Sequence, residues 1–173
     1  MKLVSYVADG KACFGVVTGE GVVTLNQRLG YATLRDALTA GGVAEIRKAV
    51  DVAKPDHRPS DVEWLPVIPN PEKILCAGIN YRSHAAETGR ELPKQPSMFI
   101  RLANTLTGHE GEMIRPSVSQ SFDFEGELAV VIARGGRHIP VERALDHVAR
   151  RQWRELRAEG DDLRHRIDQE IGG

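Results

Sequence analysis

With 173 residues, the chain can hold one ordinary domain, or a small domain plus part of a larger one. Its hydrophobic fraction of 41% and net charge of −1 suit a globular protein and leave no overall basic field for nucleic acid or an anionic membrane. No run is long enough to span a bilayer, the start Met1-Lys2-Leu3-Val4 opens no long apolar signal segment, and Cys13 and Cys76 lack disulfide or zinc spacing, so a cytoplasmic protein with reduced thiols is the default expectation.

In chain order, Leu3 to Ala8, Ala12 to Val17 and Val22 to Leu25 predict a β-meander, turned at Asp9-Gly10 and Gly19-Glu20-Gly21. Thr33 is placed to cap a short helix through Leu34, Ala37 and Leu38, with Asp36 at the capping-box position. Val43, Ile46, Ala49, Val50 and Ala53 recur at helical spacing. The polar connector Lys54 to Ser60 follows, and it predicts a domain boundary near residue 58. Trp64 to Pro71 holds too many prolines for a central strand and is expected to run extended over a second domain.

Lys73 to Ala77 reads as a strand, Arg82 to Thr88 as a short helix closed by Gly89, and Met98 to Arg101 as another strand. A loop spans residues 107–112, and Pro140 opens a helix through Val141, Ala144, Leu145 and Val148. On the helix, His84 and Glu87 stand three apart and share a face. A carboxylate beside an imidazole orients the ring and raises its basicity, so the pair could take a proton from water. A surface His-x-x-Glu with no function has the same pattern. His57 sits in the connector, His138 beside a turn and His109 in a glycine-bounded loop, where solvation explains it as well as ligand contact does.

The segment from Phe122 to Ile132 carries most chemistry. As a strand it sets Asp123, Glu125 and Glu127 on one face, about 7 Å apart in sequence steps of two, with Phe122, Phe124, Leu128, Val130 and Ile132 on the other. Carboxylates at the threshold of an apolar interior call for compensation, and a hard divalent cation supplies it through oxygen ligands. The wet face of an antiparallel strand explains the same alternation without a metal.

Lys73 to Glu87, Pro96 to Arg101, Phe122 to Ile132 and the stretch Glu142 to Ala149 together resemble the fumarylacetoacetate hydrolase family, and the preceding β-meander resembles the small N-terminal domain that often accompanies it. The resemblance implies an α+β, mostly β chain: a small N-terminal β-meander domain over residues 1–58, and part of the family's mixed β-roll catalytic domain over 59–149. It implies that Glu125 and Glu127 are ligands of Mg2+ (or Mn2+ or Ca2+), that Asp123 is not, and that His84 and Glu87 are the catalytic pair. The implied activity is cleavage of a carbon–carbon bond in a 2,4-diketo acid, with isomerisation or decarboxylation of a 2-oxo acid as alternatives. A small-molecule substrate and a homodimer are the implied partners, with no nucleic acid and no membrane.

After Ala149 the resemblance stops. The family continues with an Asn-Asp pair whose Asp is the third metal ligand, whereas residues 150–173 read as a charged, helix-like tail with six arginines and six acids from Arg150 to Glu170. The expectation is therefore a chain with two of three ligands, diverging through a frameshift or a misplaced gene end. A non-catalytic remnant is the alternative to an enzyme.

Overall fold

The computed structural model describes residues 1–91, 94–122 and 127–149. These group into two compact units, one of residues 1–70 with 106–149 and one of residues 71–105. The architecture is mostly β with some helices, as expected. The units are not the two successive domains that a boundary at residue 58 would give, because the chain returns to the first unit after residue 105. The expected tail from Arg150 lies outside the described residues.

In the first unit, β1 (Lys2–Ala8), β2 (Lys11–Val17) and β3 (Val22–Thr24) form the antiparallel meander, with Ala8 opposite Lys11. Asp9 and Gly10 both take positive φ, 50° and 71°, the backbone of a two-residue hairpin turn whose twist matches the strands it joins. Phe14 and Val16 of β2, Val23 and Leu25 meet Leu34, Ala37, Leu38, Val43 and Ile46 in one core. Tyr6, Ala8 and Val22 form a second cluster, against Val4, Cys13, Val17, Val62 and Trp64. The sheet is thus buried on two faces. That is why its strands read as short, nearly continuous apolar runs.

Three helices follow. α1 (Asn26–Leu29) was not anticipated from sequence. It is a single turn, too short for periodicity to show, and Asn26 fixes it by accepting from the Phe14 N–H at 2.8 Å and donating to the Ala32 carbonyl at 2.9 Å. α2 (Leu34–Ala40) starts at Thr33, whose Oγ1 accepts from the Asp36 N–H at 3.2 Å and donates to the Asp36 carboxylate at 2.7 Å. The short aspartate therefore closes a capping box through the hydroxyl. α3 (Gly42–Asp51) buries Val43 and Ile46.

The connector after α3 is pinned to the sheet. Val22 bridges His57, the His57 ring packs edge-on to buried Tyr6 with centroids 6.0 Å apart, and Asp56 Oδ2 accepts from the Thr24 N–H at 2.7 Å. Arg28 completes the clamp on Asp56 with two contacts, at 2.6 and 3.1 Å. Trp64, expected over a second domain, instead lies in β4 (Glu63–Leu65), which pairs with β1 and gives the strand order β3-β2-β1-β4. It is an edge strand, the place where a proline-rich neighbourhood is tolerated. Ser5, buried beneath it, donates to the Val67 carbonyl at 2.8 Å.

The second unit is built on a two-stranded antiparallel sheet, β5 (Ile74–Gly78) with β6 (Ser97–Arg101), Gly78 opposite Ser97. Between them lies α4 (Arg82–Glu87). Its entry passes through Ile79 at φ +53°, a left-handed backbone that costs a β-branched residue about 1–3 kcal/mol. Its exit is a Schellman motif: Gly89 at φ +64° donates to the Ala86 carbonyl at 3.2 Å, and Arg90 to that of Ala85 at 2.9 Å. Pro140 opens a 3₁₀ helix, Val141–His147, where an α-helix through Val148 was expected. Val148 leaves helical geometry to bridge Ile132, so the run is closed by tertiary pairing before an α-helical turn propagates.

Two predictions follow from these contacts. Burial pushes the Asp56 carboxyl upward, but the hydrogen bond from Arg28, the Thr24 N–H and the guanidinium charge outweigh it and hold the group below its ordinary value. A depressed folded-state value stabilises the fold above the unfolded value and loses that stabilisation as pH falls. Asp56→Asn therefore lowers stability at pH 7 by about 1–2 kcal/mol, discounted for the half-exposed pair, and its gap to wild type closes below about pH 4, as read from urea midpoints. Gly89→Ala places a Cβ in left-handed backbone at about 1 kcal/mol. Hydrogen exchange at the amides of residues 85–88 then quickens about fivefold, while β1 and β2 amides are unchanged.

Candidate functional site

The strand-to-helix passage of the second unit presents the two residues expected to do acid–base work. α4 carries His84 in the middle of its six residues and Glu87 at its end, one turn apart. The helix has no side-chain cap at its start, and Ala85, 3% exposed, is its sole buried residue. So short a helix stands by its tertiary anchor and its C-terminal motif, since nucleation alone disfavours it. His84 is half-buried and Glu87 exposed. The two side chains make neither a hydrogen bond nor an ion pair with each other, so the expected orientation of the imidazole by the carboxylate is not in place; shared helical register brings them close without joining them. The His84 carbonyl accepts from the Thr88 N–H at 3.1 Å and hydroxyl at 2.9 Å, which ties the backbone and leaves the ring free of that role.

The acidic segment departs from its expected form. Asp123 and Glu125 lie outside the described residues, and Glu127 is exposed. Residues 127–131 are not in a strand, and Ile132 makes one antiparallel bridge, to Val148. The Ala149 N–H donates to the Val131 carbonyl at 2.8 Å and the Ala133 N–H to that of His147 at 2.9 Å, which continues the pairing without a regular ladder. The expected faces are also reversed. Val131, Ala133 and Ala149 pack against the first unit's core, while Leu128, Val130 and Ile132 stay exposed. Residues 127–130 are all exposed, so the expected period-two strand does not form there; Val131 and Ala133 turn inward because of the surface they meet.

As donors, Glu125 and Glu127 have the chemistry a hard divalent cation takes. Among the described residues, no three His, Cys, Asp or Glu side chains come together in a way that could hold a metal ion. The remaining histidines serve structure or solvent. His57 packs on Tyr6, and His109 lies 3.9 Å from Glu110 with both side chains exposed. His109 does line a cleft of about 400 Å³ between residues 62–66 and 106–111, which sequence reading missed because it placed Trp64 elsewhere. Gly108 was the available signal. A Cβ there would run into the Trp64 carbonyl, so glycine is what lets the loop lie on the edge of β4. Cys13 and Cys76 are both free, as expected, and burial pushes the Cys13 thiol up.

Comparison with known proteins places these features in a family. Residues 73–150 match the fumarylacetoacetate (FAA) hydrolase C-terminal family. The human protein named oxaloacetate tautomerase FAHD2A, mitochondrial, is 33% identical over 141 residues, covering 78% of this chain and 45% of its own length. Oxaloacetate tautomerase YisK of Bacillus subtilis (strain 168) is 45% identical over 94 residues, 51% of this chain and 31% of its own. Among solved structures, the fumarylacetoacetate hydrolase of psychrophilic Exiguobacterium antarcticum superposes with a TM-score of 0.67 at 27% identity, covering 86% of this chain and 52% of that one. The chain thus spans about half the length, or less, of the relatives it matches. No helix among the described residues is long and apolar enough to cross a membrane, and the mitochondrial name of the human relative does not fit the cytoplasmic expectation. Over residues 73–150 the chain belongs to the fumarylacetoacetate hydrolase family, whose enzymes, hydrolases and tautomerases, are generally dependent on a divalent metal.

Proposed function

We propose that this chain carries acid–base and metal-ligating residues of an enzyme that enolises a 2-oxo acid, and that keto–enol tautomerisation is its reaction. The observation that supports this reading most is the 45% identity, over 94 residues, to a protein named oxaloacetate tautomerase. Carbon–carbon hydrolysis of a diketo acid, the activity first implied by sequence, is the second reading, supported by the fold likeness to a fumarylacetoacetate hydrolase.

In the first reading His84 moves the proton. Its half-buried imidazole can take a proton from the carbon beside the keto group and return one to the same carbon or to oxygen. Glu87, one helical turn away, lies within reach of a rotamer change that would bring its carboxylate to the ring, fix the tautomer and steady the imidazolium. Glu125 and Glu127 would hold Mg2+ (or Mn2+ or Ca2+). When bound, that cation supplies positive charge to the oxygens of the 2-oxo acid as the enolate develops. The exposed α4 with its single buried alanine leaves His84 approachable by a small substrate.

Hydrolysis asks more of the same residues. His84 and Glu87 must then activate a water for attack on a distant carbonyl, so the oriented pair is needed before the first bond forms. Tautomerisation needs only one proton donor and acceptor, which suits the separated side chains of this structure better.

The prediction is that the chain, with Mg2+ present, hastens loss of the enol absorbance of oxaloacetate. His84→Ala lowers kcat by about 10²–10⁴-fold, the usual worth of a positioned acid–base group. Glu127→Ala removes the heat of Mn2+ binding in isothermal titration. Turnover of an acylpyruvate without tautomerisation would favour the second reading, and neither activity in a folded, metal-binding chain would defeat both.

A further inference from the structure

We propose that the loop Arg134 to Ile139 is a binding site for a phosphate-bearing anion, held by the side chains of Arg134 and Arg137 and by a run of free backbone amides. The loop belongs to the first unit, and its ends are fixed together. Ile132 bridges Val148, the Ala149 N–H donates to the Val131 carbonyl at 2.8 Å, and the N–H groups of Ala133 and Arg134 donate to the His147 carbonyl at 2.9 and 3.1 Å. Residues 134–147 are thus a closed excursion. The His147 ring ties it internally. Its Nδ1 lies 2.8 Å from the Arg134 carbonyl, which can only accept, so Nδ1 carries the proton. A Cβ on Gly136 would stand 2.9 Å from Cε1 of that ring and 2.7 Å from Cδ1 of Ile139, so glycine is what lets the loop fold onto it.

What the loop offers is donors. The N–H groups of Gly135, Gly136, Arg137, His138 and Ile139 make no hydrogen bond among the described residues. His138 takes φ +52°, a left-handed step of the kind that turns successive amides toward one concavity and makes an anion nest. Arg134 and Arg137 are exposed, and among the described residues neither guanidinium has an ion-pair or hydrogen-bond partner. The remaining arginine of the excursion, Arg143, is already set against Asp146 at 3.5 Å, and Glu142 is the other acid between 134 and 147. A carboxylate, planar and singly charged, uses few of these donors. A phosphate group presents three charged oxygens in different directions and matches guanidinium forks and amides together. A soluble phosphate compound and a phosphate headgroup on a lipid share this chemistry. The inference does not rest on the tautomerase reading, since its test reads binding alone.

The experiment follows the amide NMR spectrum of the isotope-labelled 173-residue chain as sodium pyrophosphate is added, without divalent metal and at about 150 mM salt, where diffuse surface attraction is screened. Saturable shifts centred on residues 134–139 are expected, and Arg134→Gln and Arg137→Gln each weaken binding at least about tenfold. Arg143→Gln removes the same charge from the same excursion and leaves the affinity unchanged. These side chains are exposed, so each variant keeps the wild-type spectrum elsewhere. Sedimentation with phosphatidylcholine vesicles, with and without phosphatidic acid, separates the two sources: pelleting that needs the acidic lipid and is lost in Arg137→Gln assigns the loop to a headgroup, and pyrophosphate binding without pelleting assigns it to a soluble phosphate. Absence of both pelleting and shifts up to about 10 mM pyrophosphate, equal binding of malonate, or a loss in Arg143→Gln as large as in Arg137→Gln would overturn the proposal.

Discussion

Two strands and a one-turn-and-a-half helix have no interior of their own, and this constraint governs the part of the chain that carries His84 and Glu87, the proposed acid–base residues. Among the described residues, β5 and β6 pair only with each other, satisfying half of each other's backbone groups. α4 adds one buried alanine. Its form depends on local devices: a left-handed Ile79 that turns the chain out of the strand, and a glycine-closed Schellman motif that ends it. Such an element is ordered by geometry more than by burial. Side chains on it other than Ala85 remain at least partly accessible, which makes the element sensitive to small changes.

The first unit solves the same problem in the opposite way. Its sheet is covered on one face by α2 and α3 and on the other by its own connector, so both faces are apolar and Tyr6 is fully buried. Polar groups drawn into that packing are paired. Tyr6 shares a hydrogen bond with Thr24, Ser5 reaches Val67, and Asp56 meets both Thr24 and Arg28. Burial pushes the Tyr6 hydroxyl upward, which keeps it neutral and bonded. Residues 131, 133 and 149 join this core from far along the sequence. Through Val131 and Ala133 the chain just after Glu127 is tied to that core.

What the sequence made legible was local. The Asp9-Gly10 turn, the Thr33 cap with Asp36, the apolar period of α3 and the glycine after α4 are each decided within a few residues, and the structure has them all. What it hid was decided at a distance. α1 exists because Asn26 finds the Phe14 N–H; Trp64 joins β1 because that edge is open; Val131 and Ala133, not Leu128 and Val130, pack inward because they meet the core of the first unit. His84 and Glu87 were placed on their helix by spacing alone, but spacing does not say whether a carboxylate touches a ring. Glu125 and Glu127 are expected as ligands through the family pattern alone, and Glu127, the described one of the two, is exposed.

The central claim is that this chain draws a proton from the carbon next to the keto group of a 2-oxo acid, a step shared by tautomerisation and by release of an enolate after cleavage. Proton NMR of a 2-oxo acid in deuterated water, with the chain and Mg2+, tests it without choosing between those outcomes. The account predicts that the signal of the C3 protons disappears faster than in buffer with Mg2+ alone, and that His84→Ala removes the difference. Equal rates with and without the folded, metal-loaded chain would contradict it.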